Sequence, residues 1–183
     1  MAASVKVTTG KVRLSYPHIF KTHEDPSGKE QFSASLIIPK SDKRGVQKIK
    51  DAISEMMRDK DCLSKWGGKI PKKFWNPLQD GDDKDDAAYA DSYYINAKAN
   101  PDYPPKVFDK DRNEVVDPSE VYAGCYVQAV INLYAFAGQS NSGIGVGLAG
   151  IRKLADGAPL SGSTISDDDW SDDYDDYDVD DLI

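Results

Sequence analysis

From residue 5 to residue 14 the chain reads VKVTTGKVRL, apolar and polar positions alternating around Gly10. A period of two sends alternate side chains to opposite faces, so this segment predicts a strand with a bulge at Gly10. Residues 16 to 30 carry Pro17, Pro26, Gly28 and several charges and predict a loop. In FSASLIIP, 32 to 39, Phe32, Ala34, Leu36 and Ile38 share a face, which predicts a strand buried on at least that side. Ser41 and Asp42 are good N-caps, and Val46, Ile49, Ile53, Met56 and Met57 then recur every three or four residues, an amphipathic helix to about Lys60. Residues 62 to 91 show neither period and predict a long loop or small insertion.

Alternation returns at 92 to 100, with Tyr93, Ile95 and Ala97 on one face and Tyr94, Asn96 and Lys98 on the other. Segments 106 to 109 and 112 to 116 flank a tight turn at Lys110 and Asp111 and predict a hairpin. The longest strand runs from 121 to 136. Its apolar row is Val121, Ala123, Cys125, Val127, Ala129, Ile131, Leu133 and Ala135, and its other row is Tyr122, Gly124, Tyr126, Gln128, Val130, Asn132, Tyr134 and Phe136. A final strand covers 144 to 154, with Gly145 and Gly147 on one face. Five or six strands and one helix predict a mainly β fold, a small β-barrel or sandwich with an inserted amphipathic helix. The 183 residues suit one such core.

Charge divides the chain. The formal net charge is −8, but ten aspartates and no Lys or Arg lie between Ile165 and Ile183, leaving 21 acids against 23 bases in residues 1–164. Within that body, residues 80–91 hold six acids and one Lys, so the remainder is basic. The division expected is a folded domain over 1–164 and a disordered acidic tail over 165–183, too polar to bury a core. No apolar run is long enough for a membrane span. The first residues, MAASVKVTTGKV, lack the apolar stretch of a signal peptide, so a cytoplasmic location is expected. Cys62 and Cys125 lack metal-site spacing and suit reduced, packed thiols.

The second row of the long strand carries rings with polar tips where a solvated strand normally carries Lys, Glu, Thr and Ser. Such rings suit stacking of nucleobases, although they could equally pack beneath the helix or the 62–91 loop. Tyr94, Asn96 and Lys98 repeat the pattern on the next candidate strand, and Lys11 and Arg13 share a face of the first. In KWGGKIPKKFW, 65 to 75, lysines interleave with aromatics. Here the tryptophans are expected to anchor the loop and the lysines, Lys72 and Lys73 among them, to meet nucleic acid. DGDDKDD, 80 to 86, lacks the glycine and glutamate register of a calcium loop, and no metal is assigned. His18 and His23 stand in a Pro-containing segment without a nucleophile motif, and GIGVGLAG lacks the register of a dinucleotide fingerprint. No cofactor and no enzymatic activity are expected. The tail alternates acidic pairs with Trp170, Tyr174 and Tyr177 and ends in Leu182 and Ile183. A spaced polyanion with rings resembles single-stranded DNA and could fold back onto a basic groove, its apolar tip serving a partner's pocket; the plainer reading is a solubilising tail.

KVRLSYPHIF (11–20), FSASLIIPK (32–40), KWGGK (65–69), PLQDGDDK (77–84), YYINAKANPDYPPKVFD (93–109) and YAGCYVQAVINLYAF with GIGVGLAGIRKL (122–154) resemble a tailed-bacteriophage single-stranded-DNA-binding family. The resemblance implies an OB-fold core, binding of single strands with little sequence preference, and a role in phage replication or recombination in the cytoplasm of an infected bacterium. It also implies that the acidic tail recruits phage or host replication and recombination proteins. A homodimer is compatible with it. From strand faces, Lys11, Arg13, Lys98, Lys106 and Arg152 are the expected phosphate contacts, and Tyr16, Tyr94, Tyr126, Tyr134 and Phe136 the stacking rings. An acidic DNA mimic is the alternative, but a mimic should be negative over its body. A metal-dependent nuclease using the acids of 80–91 would need magnesium-dependent cleavage.

Overall fold

The two-residue period of the longest strand becomes an inside and an outside. Val127, Ala129, Ile131 and Leu133 are fully buried, while the intervening residues of Tyr126–Ala137 are partly or largely exposed. The computed structural model describes residues 4–160 and Trp170. In chain order the strands are β1 (Ser4–Thr8), β2 (Val12–Glu24), β3 (Glu30–Pro39), β4 (Phe74–Trp75), β5 (Gln79–Asp80), β6 (Ser92–Ala99), β7 (Lys106–Phe108), β8 (Tyr126–Ala137) and β9 (Ser142–Ala155). Helices α1 (Lys43–Arg58) and α2 (Lys60–Lys65) lie between β3 and β4.

The sheet order is β1-β8-β2-β3-β6-β9, and β9 also pairs with β8 along its length, so β2, β3, β6, β9 and β8 close into a ring. Closure protects strand edges that an open sheet would leave exposed. Leu14, Leu36, Ile95, Ile131, Leu133, Ile144 and Ile151 fill the interior. One face of α1 joins the same core through Val46, Ile49, Ala52, Ile53 and Met56. Its N-terminus is set by Asp42, whose Oδ1 accepts the Gly45 N–H at 3.1 Å. Lys48 Nζ donates to the Thr8 carbonyl at 2.8 Å, tying the helix to the β1–β2 junction. That junction is the bulge expected at Gly10: five residues from Thr8 to Val12 oppose four from Val130 to Val127 on β8.

Several expectations change. Residues 16–24 are strand and not loop: β2 continues to Glu24, and the true turn is held by Asp25, whose Oδ1 accepts the N–H groups of Ser27 and Lys29 at 2.9 and 3.0 Å. Pro17 fits because it sits at a register shift between Ser15 and His18, where the ladder is already interrupted. The long strand begins at Tyr126 and not at Val121. Gly124 adopts φ 110°, a left-handed conformation that ends the run, although Val121, Ala123 and Cys125 stay buried. The 62–91 segment contains α2's end, β4, β5 and two single 3₁₀ turns, at Gly81–Asp83 and Ala87–Tyr89. The 106–116 hairpin is minimal, a single antiparallel bridge between Phe108 and Glu114 with Val115 N–H donating to the Val107 carbonyl at 3.0 Å. Trp170 is exposed. The rest of the expected tail, with Tyr174, Tyr177, Leu182 and Ile183, lies outside the described residues.

Candidate nucleic-acid interface

With the apolar row turned inward, β8 presents Tyr126, Gln128, Val130, Asn132, Tyr134 and Phe136 outward. The antiparallel register sets glycines of β9 beside four of them: Gly150 by Val130, Gly147 by Asn132, Gly145 by Tyr134 and Gly143 by Phe136. The Tyr134 ring lies over Gly145, and any side chain there would collide with it. The other edge of β9 pairs in parallel, over short stretches, with β4, β6 and β7. A band of glycines between raised walls makes a trough.

Three depressions follow this band. The first, about 400 Å³, is bounded by Trp75, Tyr134, Phe136, Asn96 and Lys98. The second, about 520 Å³, shares Lys98 and adds Tyr103, Lys106, Asn132 and Gly147. The third, about 370 Å³ and mostly apolar, lies between Phe108, Arg112, Val130, Gly150 and Arg152. Trp75, Tyr134 and Tyr103 are 43%, 41% and 78% exposed, so large rings that normally seek burial stand open along the trough.

The trough thus brings together Lys98, Lys106, Tyr134, Phe136 and Arg152 from the residues the sequence nominates. Arg152 is also structural: its Nε donates to the Lys110 carbonyl at 3.0 Å, holding the 109–113 turn against the sheet. Lys11, Arg13 and Tyr126 form a separate group at the start of β8. There Lys11 Nζ lies 4.9 Å from the centre of the Tyr126 ring, and Arg13 donates to the carbonyls of Gly124 and Ala158 at 3.1 and 2.6 Å. Tyr16 and Tyr94 belong to a third cluster, where Lys84 Nζ sits 5.5 and 5.0 Å from their ring centres and 4.1 Å from that of Tyr89. Tyr89 is fully buried. Its hydroxyl bonds to Ser15 Oγ at 3.0 Å and Ser35 Oγ at 3.1 Å, and its ring meets that of Tyr94 edge-on at 5.2 Å. Lys72 and Lys73 are exposed on the segment leading into β4.

Relatives agree with this architecture. The family model of the single-stranded-DNA-binding protein of Enterobacter phage Enc34 matches residues 5–182. The chain belongs to this family. A solved structure described as the single-stranded DNA-binding protein from bacteriophage Enc34 in complex with ssDNA is 26% identical, with a TM-score of 0.68 over 87% of this chain and 90% of that one. A C-terminal truncation of the Enc34 protein gives the same identity and TM-score over 86% and 89%. The bacteriophage T7 single-stranded DNA binding protein gp2.5, at 16% identity and a TM-score of 0.61 over 94% and 96% of the two chains, shares the fold. No curated protein sequence matches the chain. The Enc34 family and these neighbours are binding proteins and not enzymes.

In this Enc34-family chain the sequence reading misplaces one tryptophan. Trp66 does anchor: it is buried, and its Nε1–H donates to the carbonyls of Phe136 and Gly143, both at 3.1 Å. Trp75 does not. β4 is a two-residue strand, so its side chains point oppositely; Phe74 meets Trp66 edge-on at 5.5 Å, and Trp75 turns out into the first depression. The alternation of adjacent aromatics was the available signal. Tyr103, in the Pro-rich turn, had none.

The acidic loop is spoken for internally. Asp80 and Asp82 each meet Lys40 Nζ at 2.8 Å, which holds both carboxyls below their usual range and raises the lysine. Asp82 Oδ1 also accepts the Asp91 N–H at 2.8 Å, closing the loop on itself. Among the described residues no three His, Cys, Asp or Glu side chains are grouped to hold a metal. Burial pushes the Cys62 thiol up to about 11, aided by Asp59, and raises Cys125, so both remain thiols. His18 and His23 stack on each other, ring centres 3.9 Å apart, and burial lowers His18.

Proposed function

We propose that this chain binds single-stranded DNA with little sequence preference along the outer face of β6, β9 and β8. Trp75, Tyr134, Phe136 and Tyr103 accept bases, and Lys98 and Lys106 track phosphates. Stacking is sequence-tolerant because every base has a π-face, and each stack contributes roughly 1–3 kcal/mol. The observation that carries the reading is the first depression. It sets two open rings, Trp75 and Tyr134, beside Lys98, in a chain whose 26%-identical relative is described in complex with ssDNA. Lys72 and Lys73, and the Lys11, Arg13 and Tyr126 group, flank this path and add positive potential.

The acidic tail acts as a tethered competitor. Its ten aspartates between Ile165 and Ile183, interleaved with rings, offer the trough the same chemistry as a DNA strand. A strand that displaces the tail frees Leu182 and Ile183 for a phage or host protein of replication or recombination, in the cytoplasm of the infected cell. Residues 1–164 form the binding domain in this scheme and 165–183 the tail.

The test is a salt titration of a labelled oligo(dT) against the full chain and a form ending at Ser166. Both should lose affinity linearly in log salt. The shortened form should bind about tenfold more tightly at low salt, because a tethered competitor acts at high effective concentration. Equal affinities at every salt concentration would remove the competition; no affinity in either form would remove the function.

A further inference from the structure

Glycine within a strand weakens it, since it packs nothing and has the most backbone freedom to lose. Two of the outward glycines of β9 repay this locally. Gly145 lies under the Tyr134 ring, and at Gly150 a side chain would press on the Lys106 carbonyl, 3.3 Å from the Cβ position. Gly147 has no such reason. A Cβ there would meet only Asn132 at 3.7 Å and the Lys98 carbonyl at 4.0 Å, ordinary van der Waals distances. Its backbone is not left-handed either. The protein could carry alanine at this point without strain.

What surrounds Gly147 is a row across four strands. Lys98 of β6 pairs with Gly147, Gly147 with Asn132 of β8, and Asn132 with Lys6 of β1. Adjacent strands lie about 4.8 Å apart, so the row sets an ammonium, a bare backbone, a carboxamide and a second ammonium side by side on one face. Lys6 and Lys98 are exposed, and Gly147, Asn132 and Lys98 line the second depression. Among the described residues no side chain fills the space over Gly147, and cations stand at the two ends of the row.

We infer that Gly147 is a clearance subsite for one nucleotide of a bound single strand. The sugar and base lie directly on the Gly147 backbone with their polar edge toward the Asn132 amide, and Lys98 and Lys6 meet the phosphates on either side. The inference rests on the proposed function and adds to it a position, Gly147, and a cation, Lys6, that the aromatic pattern does not indicate. A methyl group at 147 would occupy volume that the nucleotide needs and would come no closer than 3.7 Å to the protein atoms around it, and an isopropyl group would occupy more of that volume.

The experiment compares wild type, Gly147→Ala and Gly147→Val by thermal melting and by oligo(dT) affinity at fixed salt, with Lys6→Ala measured across salt. The alanine form should melt no lower than wild type and bind several-fold more weakly, and the valine form should lose about tenfold or more, the scale of one stacked base. Lys6→Ala should reduce the salt slope by about one. Wild-type affinity in the alanine and valine forms would overturn the subsite while leaving the proposed function standing. If valine lowers the melting temperature, the alanine form decides. A wild-type chain that does not bind oligo(dT) would instead defeat the proposed function itself.

Discussion

Replacing Trp75 and Tyr134 together by alanine is expected to weaken binding of single-stranded DNA by about a hundredfold or more and to leave the fold intact. Two stacked bases contribute roughly 1–3 kcal/mol each, and about 1.4 kcal/mol corresponds to a factor of ten. The rings bound the same depression, and both are more than two-fifths exposed, so their removal costs the folded state little packing. Tyr134 has a local role as the cover of Gly145, and its loss should lower the melting temperature only slightly. Each single variant should lose about tenfold in affinity. Tyr16→Ala is the matched control: Tyr16 is 57% exposed, but it belongs to the Lys84 cluster and not to the trough. Its affinity should stay near wild type. Titration of oligo(dT) against wild type and the four variants, with melting curves in parallel, checks this.

Trp66→Ala should act in the opposite way, on the fold first. Truncating a buried tryptophan removes a large apolar side chain and leaves a cavity, a loss of roughly 3–5 kcal/mol. Here it also strips the indole N–H from the carbonyls of Phe136 and Gly143. Those carbonyls belong to facing residues at the end of the β8–β9 hairpin, so Trp66 is the post on which that end of the trough is mounted. A fall in melting temperature of about 10 °C is expected for a chain of this size. Trp66→Phe keeps much of the apolar volume but leaves the two carbonyls without their donor, and should cost about 1–2 kcal/mol. Denaturant melts of the three proteins give these numbers directly. A Trp66→Ala protein as stable as wild type would mean that the hairpin end is held by something else.

What could be read from the chain follows from where burial is one-sided. β8 and β6 alternate because one face meets the core, β3 keeps its apolar row although it is buried on both faces from Ala34 to Ile38, and α1 shows both its cap, Asp42, and its buried stripe. The Gly10 bulge was legible for the same reason, as an extra residue in an otherwise strict period. β2 beyond Ser15 was not, because Pro17 and the charges around it imitate a loop, and only the register shift on β3 makes room for them. The candidate site was legible as a chemistry and not as a map. Rings and cations on outward rows are visible in sequence, but their grouping depends on what the connecting segments cover. Tyr89, delivered by the acidic loop onto Ser15 and Ser35, meets Tyr94 edge-on at 5.2 Å and groups it with Lys84. Trp75 enters the trough because β4 pairs in parallel with Ser142 and Gly143, a contact between distant residues that no local period announces.

The central claim is the location of the strand, and photo-crosslinking tests it most directly. Full-length protein bound to an oligo(dT) is irradiated, digested and mapped by mass spectrometry. The account predicts crosslinks at Trp75, Tyr134 and Tyr103, lost when excess unlabelled strand competes. Crosslinks confined to Tyr16 and Tyr94, or to Tyr122, with the trough residues unmodified, would contradict it.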